Sequence, residues 1–257
     1  MNTNRFRQCF YYKLRGLVVP TAVYLAIYIL ARFGLPLVVW LLADDTMTMN
    51  MTASLFGDGV ISLLSVSFWF STSIFLFIGG VASFREEFNH LLAMNNTRQN
   101  QFWSAQLAQL TVIFALTILS GVFGLLEHLM DSWINHDVIF GSFYGIDAGA
   151  FIGVYLSGLA LLGCGFLLAH AFGETAGVLA YRIGRAFIVP FWICFGLAFV
   201  LVPILATGSA GFNRFLSWYF TGIGSNYYLS AALHILMTAV ILKVISLLAI
   251  RKIPQSA

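Results

Sequence analysis

Two adjacent glutamates, Glu86 and Glu87, could activate water or share a metal ion if histidines stood beside them. His170, four residues after Phe166, and His128 and His234, also in apolar stretches, are nitrogen donors to weigh. The surroundings argue against such a centre. The glutamates fall in a polar run between apolar segments, and the histidines form no opposed pairs at matching depth, as a haem would need. No HExxH, GxSxG, phosphate-cradling glycine loop or Walker motif occurs. Cys9, Cys164 and Cys194 lie far apart and mostly within apolar segments, which excludes a disulfide framework or a metal knuckle. The expectation is a chain with no catalytic residue, metal or cofactor of its own.

Polar residues inside apolar stretches are the other candidates. Arg32 falls about 15 Å from the outer end of its segment, too deep for easy snorkelling. It would line a cavity or pair with Glu127, and His234 sits at similar depth in the last apolar stretch. A structural ion pair for Arg32 and a hydrogen-bonded packing role for His234 remain open beside a substrate path. Gly141, Gly145, Gly149 and Gly153 recur at spacing four and Ser157 continues the row, a stripe on which a second helix could pack closely, within the chain or across a dimer.

The elements that must position these residues follow from composition. With 60% hydrophobic and 9% charged residues, the chain takes the bilayer as its solvent. A net charge of +3 is too small to imply nucleic-acid binding. The expected fold is all-α and polytopic, a single domain over 1–257. Six spans are placed near 17–42, 59–84, 103–128, 149–170, 185–206 and 228–250, each near or above the roughly 20 residues that cross a hydrocarbon core. Residues 2–16 set Phe6, Phe10 and Leu14 at spacing four among basic residues, as an interfacial amphipathic helix would. The first apolar run is too long for a signal-peptide core, so an uncleaved first span is expected. Residues 207–226 are aromatic and too short to cross and return, and read as short re-entrant or interfacial helices.

Sidedness comes from Lys and Arg. Arg5, Arg7, Lys13, Arg15, Arg85, Arg98, Arg182, Arg185, Arg251 and Lys252 fall on one side of this arrangement, with Lys243 snorkelling towards it. Arg214 alone lies in a loop on the other side, together with Asp44, Asp45, Asp58, Asp131, Asp137 and Asp147. Both termini and the connections 85–102 and 171–184 are then cytoplasmic. Neither connection could hold a catalytic domain, so the energy must come from another chain or from an ion gradient.

The first connection is the most patterned part of the sequence. From Phe84 to Gln106 it sets Phe88, Leu91, Leu92, Phe102 and Trp103 on helical faces while Arg85, Glu86, Glu87, Asn95, Asn96, Arg98 and Gln99 stay wet. It reads as a helix across the membrane face followed by a turn at Asn95–Asn96. Phe84, Arg85, Glu86, Phe88, Leu91, Leu92, Asn95, Asn96, Thr97, Arg98, Phe102 and Trp103 resemble the first cytoplasmic loop of the type-2 ATP-binding-cassette exporter permeases, the small six-span kind of Gram-positive bacteria. Ala180, Tyr181, Arg182, Gly184 and Arg185 resemble that family's second loop, and the tail from Ile250 to Pro254 its basic end. The likeness spans nearly the whole chain through short, degenerate motifs.

The resemblance implies a permease subunit in a bacterial plasma membrane that dimerises with itself or a homologous permease and recruits two separate ATPase subunits carrying ATP and Mg. The first loop would be a coupling helix, with Phe88, Leu91 and Leu92 in an apolar groove of the ATPase and Arg85, Glu86, Glu87, Arg98 and Arg182 as charged contacts. Two adjacent glutamates sit badly against an anionic leaflet, which favours a protein partner over headgroups. The aromatic, mildly acidic outer face suits amphipathic cargo such as antimicrobial peptides, lipids or drugs. Two alternatives stand beside this. An ion-coupled secondary carrier would need membrane-embedded acids and an internal inverted repeat, and neither is evident in the sequence. Glu86–Glu87 and the Phe166–His170 spacing also resemble CAAX-type membrane proteases, but Leu91 stands where that motif carries arginine.

Overall fold

In a computed structural model of the chain, the residues described are 3–30, 68–82, 98–134, 148–184 and 227–251, with 186, 187, 189–194, 197, 201, 209–211 and 214. Five helices carry most of the described structure: α1 (Thr3–Ile29), α2 (Phe68–Ala82), α3 (Arg98–Ile134), α4 (Ala148–Ile183) and α5 (Tyr227–Arg251), and residues 186, 187 and 189–194 are helical as well. Over the described residues, α1, α3, α4 and α5 are long and apolar enough to cross a membrane. The chain is a helical, membrane-embedded protein. Large apolar side chains face outward on every one of these helices, Val19 and Ile27 on α1, Phe114 on α3, Leu156 on α4 and Ile241 on α5 among them, as lipid-facing surfaces do.

The helices differ from expectation in extent. Residues 3–29 form one continuous helix through Pro20, so the basic amphipathic segment and the first apolar run are a single element. Phe6, Phe10 and Leu14 are partly buried on its inner face, and Cys9 and Lys13 join them as fully buried neighbours. α4 does not stop at 170. It runs through the expected connection 171–184 to Ile183, giving a helix of 36 residues, about 54 Å long against a hydrocarbon core of about 30 Å. The true stop is Gly184, whose φ of 74° is the left-handed cap conformation and whose N–H donates to the Ala180 carbonyl at 2.9 Å.

Side-chain pairs fix the packing directions. Cys9 meets Ser104 and Tyr28 meets Phe123, both separated by 95 residues, so α1 and α3 run parallel and in register. Tyr24 bonds Ser71 and Thr72 while Tyr28 packs on Phe68, which sets α2 antiparallel to α1. Gln106 pairs with Glu174 and Thr117 packs on Gly163, so α3 and α4 are antiparallel. Thr175 meets Ser246 while Phe102, Val178, Ala249 and Ile250 share one cluster, so α4 and α5 descend together. The N-terminal ends of α1 and α3 and the C-terminal ends of α2, α4 and α5 therefore lie at one end of the bundle. Arg5, Arg7 and Arg15 near the start of α1, Arg98, Arg182 and Arg251 all belong to that end.

Two cores hold the helices. The larger centres on Phe68, Leu76, Val112, Ile113, Leu116, Phe123 and Phe166, where Tyr28, Phe68 and Phe123 make edge and tilted ring contacts at 5.0–6.2 Å. Glycine makes the closest approach. Trp69 lies against Gly165, Phe77 against Gly173 and Val81 against Gly177, a constant separation of 96 residues that runs α2 parallel along α4. A Cβ on Gly177 would come within 2.8 Å of the Val81 carbonyl oxygen, and one on Gly80 within 2.7 Å of the Glu174 backbone nitrogen. Small residues at spacing four let two backbones touch, the device expected of helices packing in lipid.

At the other end of α2, the Tyr24 hydroxyl lies 2.8 Å from both Ser71 and the fully buried Thr72, and its ring stacks on Phe75 at 4.6 Å. Tyr24→Phe keeps the stack and removes both hydrogen bonds. The expected loss is about 1 kcal/mol, readable as a lowered midpoint of denaturant unfolding in detergent micelles.

Candidate functional site

Beneath the glycine contact, five polar side chains from three helices converge inside the bundle. His170 and Glu174, one turn apart on α4, share a face because helical residues four apart are stacked. From α3, Gln106 Nε2 donates to both carboxylate oxygens of Glu174, at 2.8 and 3.1 Å. From α5, Lys243 Nζ forms an ion pair with Glu174 Oε2, and reaches His170 Nδ1 at 3.1 Å and Gln109 Oε1 at 3.4 Å. Glu174 and His170 are buried, 5% and 3% exposed, and Lys243 is mostly covered. Thr175 closes the α5 side by bonding Ser246 Oγ at 2.9 Å and donating to the Leu242 carbonyl at 3.1 Å.

Depth makes the cluster unusual. Gln106 and Gln109 lie about 5–10 Å from the middle of the apolar α3 window Asn100–Leu125, so the cluster belongs to the apolar part of a candidate span. A charged side chain there costs several kcal/mol when unpaired, so the pair must be matched and fully hydrogen-bonded to persist.

With Lys243 as the ammonium, the donor and acceptor count assigns the ring proton of His170. An ammonium has three donors and no acceptor, and Lys243 uses all three, on Glu174, His170 and Gln109. His170 Nδ1 must then accept, which places the ring proton on Nε2. That Nε2 is buried and has no hydrogen-bond partner. Gln101 and Ser120 Oγ are the other described buried side-chain groups without one.

The residues expected from sequence are distributed otherwise. Arg85, Glu86, Glu87, Phe88, Leu91, Leu92, Arg32, Gly141 and Gly145 lie outside the described residues, as does the turn at Asn95–Asn96. Arg98 opens α3, Glu127 lies near its far end, and Arg182 is exposed in the last turn of α4. His234 is buried in α5 with Nδ1 3.1 Å from the Ser230 carbonyl, within its own helix turn. Gly149 is in the first turn of α4, and Gly153 is exposed, with nothing within 4 Å of where its Cβ would be. Among the described residues, close helix contacts are made at Gly80, Gly173 and Gly177.

Three corrections follow. Lys243 does not snorkel; it is held in an ion pair inside the bundle. The expected connection 171–184 is helix to Ile183, and it carries a buried acid, Glu174, within a candidate span. His170 belongs with Glu174 and Lys243. Among the described residues no group of three or more His, Cys, Asp or Glu side chains is placed to hold a metal ion.

No family model, curated protein or solved structure matches the chain.

Proposed function

We propose that the chain is the membrane permease subunit of an ATP-driven exporter. It has six spans and cytoplasmic termini in a bacterial plasma membrane, and works with a second permease and two ATP-binding-cassette ATPases that carry ATP and Mg. The cargo class is amphipathic: an antimicrobial peptide, a lipid or a drug. The observation that carries this reading is the seating of the patterned stretch. The described parts of its flanking helices, α2 up to Ala82 and α3 from Arg98, lie at the basic end of the bundle. Gly80, two residues before that end of α2, lies against the His170–Glu174 turn of α4, and Gln106, the last residue of the stretch, bonds Glu174. A push on residues 84–97 would therefore reach α4 by two routes, and α5 through Lys243. That is the wiring a coupling helix needs.

The basic end supports a cytoplasmic assignment through the positive-inside rule. Replacing Leu91 and Leu92 together by aspartate tests the contact. Removing two apolar anchors and placing charges in an apolar groove is expected to weaken binding to the ATPase by roughly a hundredfold or more. Retention of the complex and of transport would rule out the coupling role. A second reading, an ion-coupled carrier, gains support from Glu174, an acid inside a candidate span. Transport that stops on collapse of the proton gradient but survives an ATPase lacking a functional Walker motif would establish it.

A further inference from the structure

The open donor of His170 is the feature that neither reading uses. We propose that Lys243, His170 and Glu174 form a proton-exchange site inside the bundle, in which Lys243 gains and loses the proton and His170 relays it to a water oxygen at Nε2. The three side chains are in line for this. Lys243 Nζ contacts His170 Nδ1 at 3.1 Å, and the far side of the same ring carries the only N–H of the cluster's titratable groups that has no acceptor. A buried N–H left open costs about 1–3 kcal/mol, a cost that a bound water removes.

The step balances without a further reagent. The Nε2–H bond breaks and its proton passes to water, while an N–H bond of Lys243 breaks and a new N–H forms at Nδ1. The ring stays neutral with its proton moved to the other nitrogen, and Lys243 becomes a neutral amine. Reprotonation at Nε2 reverses each transfer. The charged and titratable groups that face one another here are Lys243 from α5 and His170 and Glu174 from α4. α3 contributes the neutral Gln106 and Gln109, and α2 contributes backbone at Gly80 and Phe77. Losing the Lys243 charge strands the Glu174 carboxylate in an apolar setting and loosens α5 from α4, so proton occupancy sets how tightly the two helices hold. The site functions in this way whichever energy source drives transport.

The test uses the full chain alone in lipid vesicles, with nitrogen-15 in lysine and histidine, followed by NMR across pH. The chain has only Lys13, Lys243 and Lys252 as lysines, so Lys243→Met assigns the signal. The expected result is that Lys243 passes from ammonium to amine over the same pH interval in which the His170 ring moves from the Nε2–H to the Nδ1–H tautomer. In His170→Phe, exchange of the Lys243 protons with solvent slows by roughly a hundredfold, the low end of what a positioned proton-transfer group contributes. A Lys243 that stays ammonium beside a fixed Nε2–H ring at every pH where the chain is folded would overturn the proposal, as would unchanged exchange in a folded His170→Phe chain. Should that variant not fold, the unsubstituted chain's titration decides. No ATPase is present, so the outcome is independent of the coupling-helix test.

Discussion

Gly173→Ala is expected to destabilise the bundle by about 3 kcal/mol, the upper part of the range for overpacking a filled interface. The added methyl carbon would press into the Phe77 carbonyl oxygen and stand 2.9 Å from its carbonyl carbon and 3.0 Å from its Cα. All three are backbone atoms of α2, so no rotamer change relieves the clash and the helices must separate. Separation also lifts Gly80 off the His170–Glu174 turn. Gly79→Ala is the matched control: it lies beside Gly80 with nothing within 4 Å of its Cβ position. There alanine only improves helix propensity, and stability should hold or rise slightly. Denaturant unfolding in micelles reads both, and equal effects at the two positions would refute the close-contact account.

Lys243→Met is expected to be at least as damaging, for an electrostatic reason. It leaves the Glu174 carboxylate buried with the Gln106 amide as its hydrogen-bond partner and His170 Nδ1 3.9 Å away, and breaking a buried pair from one side costs about 3–5 kcal/mol. Methionine is close to lysine in shape, so little of that loss comes from packing. Adding Glu174→Gln removes the stranded charge, and the double variant should recover most of the stability, since neutral replacement of a whole buried pair is often tolerated. Comparing the two single variants with the double isolates the interaction. A double variant no more stable than Lys243→Met would mean that the pair is held by packing instead.

The sequence showed the solvent and the helix class clearly, because hydropathy over some 20 residues is a strong signal. It showed the charge asymmetry too, and Arg5, Arg98, Arg182 and Arg251 do fall at one end of the bundle. What it hid was the site. Gly173, Glu174 and Gly177 fell in the expected connection 171–184, since glycine is a strong local signal for turns. In the fold those glycines are contact points against Phe77 and Val81, and the acid is neutralised by a lysine 69 residues away. Neither relation is local, so no window along the chain contains it. The spacing of four between Gly173 and Gly177, matched by the four between Phe166, His170 and Glu174, was the available clue to one continuous helix. The glycine row from Gly141 to Gly153 drew attention by the same rule; of its members within the described residues, Gly153 has nothing within 4 Å of its Cβ position.

The proposed coupling role requires energy to arrive from a partner ATPase through residues 84–106. The most direct measurement is ATP hydrolysis by the ABC ATPase reconstituted in vesicles with the wild-type chain, with the Leu91→Asp, Leu92→Asp chain, or with none. Hydrolysis that rises with the wild-type chain and returns to the rate of the ATPase alone with the doubly substituted one is the predicted result. Equal rates under all three conditions would contradict it.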